Sequence, residues 1–487
     1  MSLNFSQTDF SNLNIIVVGL AREGIAITRF LAEQGATVIV TDMESADKLQ
    51  NSIEQLHDLD ITYMLGGHPD SLFDIETPQS FAGYCPPKRP DLIVVSPGVP
   101  INIPFLQQAI AYNIPLSTET RIFCHECPTP IIGISGSSGK TTTTTLVGKM
   151  MHASGFITYV GGNIGRPLIA RLNQIKSDHK VVMELSSFQL EYFHPSATIF
   201  SPSPSLSHGW SPHIGALLNI TPNHLDRHKT MVAYTHAKSS LVHYLKPNHV
   251  AVLGWDDPIT RNFAYDLVAS IMWFSRNEQV KNGTCIVDNK ISLVRHGMVI
   301  PINPVSAIKL RGKHNIDNIL AACAIAAAGG ASIEAMAEIA TTFTGVAHRL
   351  ELVAIKDGIA FYNDSVATSP ERLIAGVKAF KEPLVLLAGG KDKDLPWQEA
   401  ARLITKQVKH LILFGYDQDL IYEAVQKELM ITGQSLSVYR CHTLENAVSK
   451  SKEISVAGDV VLLSPGGTSF DAYLDFAERG EHFRQLV

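Results

Sequence analysis

Short apolar runs alternate with longer amphipathic stretches over the first part of the chain. The runs NIIVVG at 14–19, TVIVTD at 37–42 and LIVVS at 92–96 predict buried strands, and the stretch 24–35 predicts a helix. Strands that are apolar on both faces and joined by helices are typical of a parallel sheet. The pattern therefore predicts an α/β domain over residues 1–124.

The same alternation returns twice further along the chain. A second domain, residues 125–345, is predicted to open with a strand at 130–135 and a helix that begins near Lys140, and an alanine-rich helix would close it. A third α/β domain is predicted over 346–487. The closing helix is predicted at 316–329. Further strands are predicted at 180–185, 216–220, 250–254, 359–363, 384–388, 410–414 and 460–464.

A Ser/Pro-rich segment at 194–210 interrupts the second domain. It has no hydrophobic periodicity, and it predicts an exposed loop insertion that the fold does not need.

Length and composition narrow the class of protein. A chain of 487 residues is too long for one core, and 45% apolar with 18% charged residues is ordinary for globular domains. A net charge of −6 predicts no nucleic-acid partner. The polar first residues do not resemble a signal peptide, no apolar run is long enough to span a membrane, and the six cysteines are scattered. A cytoplasmic protein without a membrane partner is expected.

The loop GSSGKTT lies between the strand at 130–135 and the helix that follows. Its glycines let backbone N–H groups approach phosphate oxygens, and the helix N-terminus adds partial positive charge. Lys140 can reach the β- and γ-phosphates, and the Thr141 hydroxyl can ligate Mg²⁺. The strict pattern GxxxxGK[ST] has a glycine where this chain has Ile134. A nucleoside triphosphate site is predicted, with an ordinary Gly/Ser turn as the alternative.

A second glycine motif follows the first predicted strand. Gly19 and Gly24 bracket the run GLAREG, and Asp42 ends the next strand, which approximates the dinucleotide fingerprint GxGxxG with its acid. Ala21 stands where the middle glycine belongs. The motif leaves three alternatives open: an NAD site, a site for a related nucleotide, and a structural turn.

Three further side chains are candidates for metal chemistry. Glu184 ends the strand at 180–185, where a carboxylate beside a phosphate loop is expected to face Mg²⁺. His224 follows the next strand, in NITPNHLDRH, and would by itself more often be a capping or surface histidine. Lys238 would by itself be a solvated helix lysine, since an ammonium cannot ligate a metal.

Taken together, these motifs resemble the Mur ligase family, in order and over nearly the whole chain. The motif that contains ELSSFQLE and the closing motif most resemble those of the D-glutamate-adding members. The motifs are GSSGKTT at 136–142, GGNIGRP at 161–167, MELSSFQLE at 183–191, NITPNHLDRH at 219–228, YTHAK at 234–238, GKHNIDN at 312–318, GVAHR at 345–349, NDS at 363–365 and SPGGTSFD at 464–471.

The resemblance implies three domains that bind, in chain order, a UDP-linked substrate, ATP and an amino acid. It implies ATP, two Mg²⁺ ions and a CO₂-derived carbamate on Lys238 as cofactors, with Lys140, Glu184, His224 and Lys238 as catalytic residues and Thr141, Glu184, His224 and carbamylated Lys238 as metal ligands. ATP would contact Gly136, Ser137, Ser138, Gly139, Lys140, Thr141, Thr142, Asn315, Asn318, Arg349 and Asp364. The UDP substrate would contact Gly19, Leu20, Ala21, Asp42, Ser96, Pro97, Gly98 and Asn163, and the amino acid Lys393, Ser464 and Tyr473.

The resemblance further implies a monomer that adds D-glutamate to UDP-N-acetylmuramoyl-L-alanine through an acyl phosphate, in peptidoglycan precursor synthesis. Family members often read NDSKAT where this chain has NDSVAT, so Val366 replaces a cationic contact and leaves D- versus L-glutamate open. A sibling ligase or a folylpolyglutamate-type ligase is an alternative, although no DNPR-like diamino-acid motif is present. A nicotinamide-dependent dehydrogenase fused to a phosphate-loop kinase is the alternative from another class.

Overall fold

The computed structural model describes residues 8–73, 90–194, 209–310, 312–392 and 395–487, except for the side chains of Ser71 and Asp226. The chain divides into two compact units, Met1–Thr342 and Phe343–Val487. The candidate residue Lys393 and most of the predicted loop insertion, at 195–208, lie outside the described residues. The dispensability of that insertion stays a prediction.

The first sheet has five parallel strands in the order β3-β2-β1-β4-β5. Ile15 and Val17 of its central strand pack on one face of the sheet, and Ile16 and Val18 pack on the other. Both faces are therefore buried, as the apolar runs predict. The elements are β1 (Asn14–Val18), α1 (Arg22–Glu33), β2 (Thr37–Asp42), α2 (Ala46–Glu54), β3 (Ile61–Leu65), β4 (Leu92–Val95), α3 (Pro104–Ala111), β5 (Leu116–Ser117) and α4 (Glu119–Glu126).

The second sheet of the first unit has nine strands in the order β14-β13-β12-β11-β10-β9-β6-β8-β7. Its last two strand pairs, β12–β13 and β13–β14, are antiparallel. The elements are β6 (Ile131–Ser135), α5 (Lys140–Ala153), β7 (Thr158–Gly162), β8 (Lys180–Glu184), α6 (Ser187–Leu190), β9 (Ile214–Leu217), α7 (Leu225–His228), α8 (Met231–His243), β10 (Val250–Gly254), α9 (Pro258–Asn262), β11 (Ser270–Ser275), β12 (Gly283–Val287), β13 (Lys290–Arg295), β14 (Met298–Pro304), α10 (Lys313–Ala328) and α11 (Ile333–Thr342).

Two predicted elements of this sheet differ from the observed ones. The strand predicted at 216–220 lies at Ile214–Leu217, because the next residues leave the ladder to bond the phosphate loop: the Asn219 carbonyl accepts a hydrogen bond from the backbone N–H of Ser137. The alanine-rich helix begins at Lys313 and does not close the domain, since α11 follows it.

The second unit contains a six-stranded sheet in the order β15-β16-β20-β17-β18-β19, parallel except at β15. Leu386 of β17 faces one buried cluster and Leu387 faces another, so helices cover both faces. The elements are β15 (Glu351–Lys356), β16 (Ile359–Asn363), α12 (Pro370–Lys378), β17 (Leu384–Gly389), α13 (Gln398–Gln407), β18 (Val408–Phe414), α14 (Gln418–Thr432), β19 (Ser437–Arg440), α15 (Leu444–Ile454), β20 (Val460–Gly466) and α16 (Phe476–Leu486).

The predicted α/β fold with three separate sheets is confirmed. Parallel strands place their carboxyl ends at one edge of a sheet, which is where ligands bind in this fold class. No helix in the described part of the chain is long and apolar enough to cross a membrane.

Candidate functional site

The phosphate loop joins β6 to α5 at the carboxyl edge of the nine-stranded sheet. Gly139 adopts a φ of 82°, and a Cβ there would lie 2.2 Å from Oδ1 of Asn318, so only glycine fits. The Lys140 ammonium donates to the carbonyl oxygens of Gly136 (2.9 Å) and Ser137 (3.2 Å). The lysine thus caps its own loop, at the place where phosphate oxygens are expected.

Hydrogen bonds from the neighbouring segment fix the shape of this loop. Oδ1 of Asn219 accepts the backbone N–H of Ser138 at 2.9 Å. The Ser137 hydroxyl donates to the Thr221 carbonyl at 2.9 Å and lies 3.0 Å from the Tyr234 hydroxyl. These bonds fix the backbone of the loop through the protein's own groups, so the loop is preorganised. Thr141 and Thr142 stand half-buried in the first turn of α5.

Lys238 of α8 is a buried lysine rather than a solvated one. Its side chain is 1% exposed, and its Nζ donates to the Ser135 hydroxyl and the Gly136 carbonyl, each at 3.0 Å. Burial lowers the pKa of this amine well below its usual range, the Lys140 charge lowers the pKa further, and Glu184 opposes both. The neutral form of this amine is therefore easier to reach beside the phosphate loop than it is for an exposed lysine.

Glu184, at the end of β8, is buried on the same edge of the sheet. Its Oε1 accepts a hydrogen bond from the side-chain amide of Asn163 at 3.0 Å, and its Oε2 accepts none from the described residues. A buried carboxylate oxygen without a donor is costly unless a cation faces it. Glu184 is therefore suited to a metal ion.

His224 lies at the start of α7 with a φ of 52°, in the left-handed region. Its ring meets the Phe188 ring edge-on, with centroids 4.9 Å apart, and lies 6.5 Å from the ring of Tyr234. Since Tyr234 also contacts Ser137, the histidine belongs to the surroundings of the phosphate loop. Among the described residues, no three or more His, Cys, Asp or Glu side chains are grouped so that they could hold a metal ion.

A cavity of about 220 Å³ opens beside the phosphate loop. Asn318 lines it, and the Asn318 amide donates to Oδ1 of Asn315 at 2.9 Å. Phe274 and Ala321 provide apolar surface there, while Asp256 and Asp257 provide acceptors. An apolar lining together with amide and carboxylate groups suits a purine base.

The candidate residues of the first sheet form a cradle at the carboxyl ends of β1, β2 and β4. The backbone N–H of Leu20 donates to Oδ2 of Asp42 at 2.7 Å, and the Ser96 hydroxyl donates to the Gly19 carbonyl at 2.9 Å. A Cβ on Gly24 would lie 1.9 Å from that same carbonyl, so α1 begins in close contact with the strand end. Ala21 lies immediately before α1, and Pro97 and Gly98 follow β4.

In the second unit, Asp364 is buried and bonded on both oxygens. Its Oδ1 accepts the backbone N–H of Leu350 at 3.2 Å, and its Oδ2 accepts the Ser464 hydroxyl at 3.0 Å. Burial raises the pKa of Asp364 to about 7. Arg349 is flanked by His348 and Leu350, which both have positive φ, so this segment is held in an uncommon conformation.

Two of the predicted amino-acid contacts lie in different surroundings. Ser464 is fully buried, so its predicted contact would require its hydrogen bond to Asp364 to open. Tyr473 lines a cavity of about 330 Å³ and lies 2.8 Å from Nδ1 of His482, which in turn approaches Glu445. Burial raises the pKa of Tyr473 to about 12. Ser464 is thus bonded to Asp364 and Tyr473 to His482, in two separate hydrogen-bond groups.

Comparison with known proteins accounts for this arrangement. Residues 134–326 match the model of the Mur ligase middle domain, and residues 348–467 match that of the Mur ligase, glutamate ligase domain. The UDP-N-acetylmuramoylalanine--D-glutamate ligase of Symbiobacterium thermophilum is 38% identical over 474 residues, 97% of each chain. The enzyme of that name from Acetivibrio thermocellus is 34% identical over 100% of this chain and 98% of its own.

The chain belongs to the Mur ligase family.

Solved structures of Mur ligases share the fold. The UDP-N-acetylmuramate-alanine ligase MurC of Thermotoga maritima superimposes with a TM-score of 0.54 at 17% identity, covering 97% of this chain and 99% of its own. MurF of Acinetobacter baumannii gives 0.54 at 15% identity, over 97% and 93%. Mur ligase membership over the whole length leaves no place for a dehydrogenase fused to a kinase.

Three residues at this Mur ligase site lie within the family motifs, but the sequence assigned them no role. Asn219 and Tyr234 brace the phosphate loop, and Arg227 joins α7 to the first sheet. Asn219 lies inside the strand predicted at 216–220 and two residues past the observed strand end at Leu217, so the boundary error hid its position at the sheet edge. Arg227 and Tyr234 belong to the motifs NITPNHLDRH and YTHAK, but their contacts could not be predicted because their partners are distant in sequence.

Proposed function

We propose that this Mur ligase uses ATP to join D-glutamate to UDP-N-acetylmuramoyl-L-alanine in peptidoglycan precursor synthesis. The observation that carries the proposal is the meeting of Lys140, Lys238 and Glu184 at one phosphate loop. The relatives named for this reaction match nearly the whole chain, which supports the substrates. Sibling Mur ligases and L-glutamate are the alternatives that the experiment below distinguishes.

In the first step, an oxygen of the substrate carboxylate attacks the γ-phosphorus of ATP in line, and ADP leaves. A carboxylate is a poor electrophile, and the resulting acyl phosphate is a good one. Lys140 would turn from the carbonyl oxygens of its own loop to the β- and γ-phosphates and neutralise the charge that moves to the leaving oxygen. Asn315 and Asn318 would contact the adenine in the cavity beside the loop.

Mg²⁺ fits this site because Glu184 has a buried carboxylate oxygen without a donor and Thr141 offers a hydroxyl at the start of α5. We propose that Thr141 holds one ion and that Glu184 and His224 hold a second. Bound Mg²⁺ would supply positive charge for the transferring phosphoryl group. Asn163 would then serve two purposes, since it orients Glu184 and lies where the muramoyl substrate is proposed to bind.

We further propose that Lys238 reacts with CO₂ to form a carbamate. Only the neutral amine attacks CO₂, and the burial that lowers the pKa of Lys238 keeps that form available. The nitrogen loses a proton as its bond to the CO₂ carbon forms, and the product is an anion with carboxylate-like oxygens. It would add a third metal ligand to Glu184 and His224. Incubation with ¹³C-labelled bicarbonate should give a carbamate NMR signal that Lys238→Ala loses and the exposed-site variant Lys246→Ala keeps. An unchanged signal in Lys238→Ala would contradict the assignment.

In the second step, the amine of D-glutamate attacks the acyl carbon and phosphate leaves, which forms the amide. We assign Arg349 and Asp364 to ATP and Lys393, Ser464 and Tyr473 to the amino acid, as the family resemblance implies. We also propose a cytoplasmic monomer on that basis, and light scattering of the purified protein tests the monomer.

The test of the proposed function is phosphate release from ATP and Mg²⁺ with UDP-N-acetylmuramoyl-L-alanine. D-glutamate, L-glutamate, meso-diaminopimelate and L-lysine are offered in parallel. Release that depends on D-glutamate supports the proposal and shows that Val366 is tolerated. Release with L-glutamate alone would keep the mechanism and reverse the stereochemical preference, whereas release with none of them would overturn the substrate assignment.

A further inference from the structure

Arg227, in the short helix α7, contacts two parts of the first unit that are far apart in sequence. Its Nη1 donates to the Pro97 carbonyl at 3.2 Å, in the turn that follows β4 of the first sheet. Its Nη2 bonds Oε1 of Glu191 at 2.5 Å. A planar guanidinium can satisfy two acceptors in different directions at once, which the single ammonium of a lysine does less well.

The same guanidinium stacks on an aromatic ring that also meets His224. The Arg227 guanidinium carbon lies 4.6 Å from the centre of the Phe188 ring, and the His224 ring lies 4.9 Å from that centre. Phe188 lies in α6, directly after the strand that ends in Glu184. Arg227 therefore touches both the Pro97 turn and the ring that packs against His224.

The next residue, His228, also anchors α7 to α6. His228 is buried, and its Nε2 lies 2.9 Å from the Ser187 hydroxyl of α6. Because α7 has only four residues and begins at the left-handed His224, such side-chain contacts rather than helix propensity must fix its position. A substitution of Arg227 should therefore alter both the Pro97 turn and the position of the His224 ring.

We propose that Arg227 is a positioning residue that couples the nucleotide-substrate turn at Pro97 to the orientation of His224. The inference rests on the proposed function, in which that turn holds the UDP-linked substrate and His224 serves the phosphoryl transfer. Arg227 sets the substrate's carboxylate against the reacting phosphate by fixing the two elements relative to each other, and it does not itself touch the reacting atoms.

The test compares Arg227→Ala and Arg227→Lys with Arg29→Ala. Arg29 is the matched control, since it also bonds a carboxylate (Asp58) and a backbone carbonyl (Gln55), but within the first sheet's own domain. Arg227→Ala should raise the KM for the UDP-linked substrate about tenfold and lower kcat, as loss of a charge-assisted hydrogen bond does. The KM values for ATP and D-glutamate should stay within about twofold, and Arg227→Lys should recover part of the loss.

A second variant separates the two contacts of Arg227. Phe188→Leu keeps the bond to Pro97 and removes the ring between Arg227 and His224, so kcat should fall while the KM for the UDP-linked substrate is unchanged. Equal losses for all three substrates in Arg227→Ala, or effects no larger than those of Arg29→Ala, would overturn the coupling.

Calorimetric binding of UDP-N-acetylmuramoyl-L-alanine keeps this inference distinct from the proposed function. No binding to the wild-type chain means that the proposed function has failed. Binding to wild type that is unchanged in Arg227→Ala means that the coupling has failed while the proposed function stands. Binding that weakens about tenfold in Arg227→Ala and partly recovers in Arg227→Lys supports the inference.

Discussion

The side-chain amide of Asn163 donates a 3.0 Å hydrogen bond to Oε1 of Glu184, and the backbone N–H of Asn163 donates to the Glu184 carbonyl at 2.8 Å. The neighbouring Gly162 makes this approach possible, because a Cβ there would lie 2.3 Å from that same carbonyl. One carboxylate oxygen is thereby fixed, and the other is left for a cation.

Removal of the Asn163 amide should weaken the response to Mg²⁺. In Asn163→Ala, Glu184 loses the donor that orients it, so we expect the Mg²⁺ concentration for half-maximal activity to rise at least ~10-fold. Asn282→Ala is the control, since Asn282 donates to the Ile271 carbonyl in the same unit and away from the phosphate loop. An Mg²⁺ titration in which Asn163→Ala and Asn282→Ala match wild type would show that Glu184 does not depend on this bond.

The charge of Lys140 should be needed for turnover and not for the fold. Lys140→Ala is expected to lower kcat by at least ~10²-fold, because a charge that neutralises the transferring phosphoryl group is lost. Lys149→Ala removes a lysine from the exposed face of the same helix and should leave kcat unchanged. Near-normal phosphate release by Lys140→Ala would remove the phosphate loop from the mechanism.

Gly139 and Gly155 have nearly the same positive φ but different surroundings, so alanine variants of the two distinguish backbone strain from a steric clash of the added Cβ. Gly139 has a φ of 82° and no room for a Cβ beside Asn318, whereas Gly155 has a φ of 88° and open space. Both alanine variants should lose about 1 kcal/mol of unfolding free energy from the positive φ. Only Gly139→Ala should also raise the KM for ATP, by an expected ~10-fold or more, since it must displace Asn318 from the purine cavity. Equal KM values for ATP in the two variants would argue against a nucleotide at this loop.

The sequence carried most of the sheet architecture, because strands buried on both faces leave continuous apolar runs such as the one at 384–388. The antiparallel strands β12–β14 were not predicted, although the sequence contains a hairpin-turn signal between β12 and β13. Asp288 and Asn289 join β12 to β13, and both have positive φ, which is typical of a two-residue hairpin turn.

The site was predictable where chemistry is local and not where it depends on tertiary contact. GSSGKTT placed the phosphate loop because its residues are adjacent in sequence. The burial of Lys238 could not be deduced from its helix, and neither could the contact of Arg227 with Pro97, because each partner comes from a different strand end. The family motifs identify Lys238 as a site residue but give no reason why a lysine could serve there. Its burial, which lowers the pKa of its amine, supplies that reason.

Glu119 makes the stability of the first unit depend on pH. It is buried at the start of α4, where its Oε1 accepts the backbone N–H of Ile169 at 3.4 Å and its Oε2 accepts the Thr120 hydroxyl at 3.2 Å. Burial, with a smaller contribution from the charge of Glu23, raises the pKa of Glu119 from 4.5 to about 8. Between pH 4.5 and about 8, the folded chain therefore keeps Glu119 protonated, whereas the unfolded chain has already released that proton.

It follows that the unfolding free energy contributed by this proton is fully present below pH 4.5 and is lost as the pH rises through about 8. Glu119→Gln keeps the shape and an acceptor for Ile169 but cannot ionise. We expect the melting temperature of Glu119→Gln to match wild type at pH 5 and to exceed it by about 3 °C at pH 9. The exposed control Glu334→Gln should follow wild type at both pH values. A difference between Glu119→Gln and wild type that is the same at pH 5 and pH 9 would mean that Glu119 is ionised in the folded chain throughout.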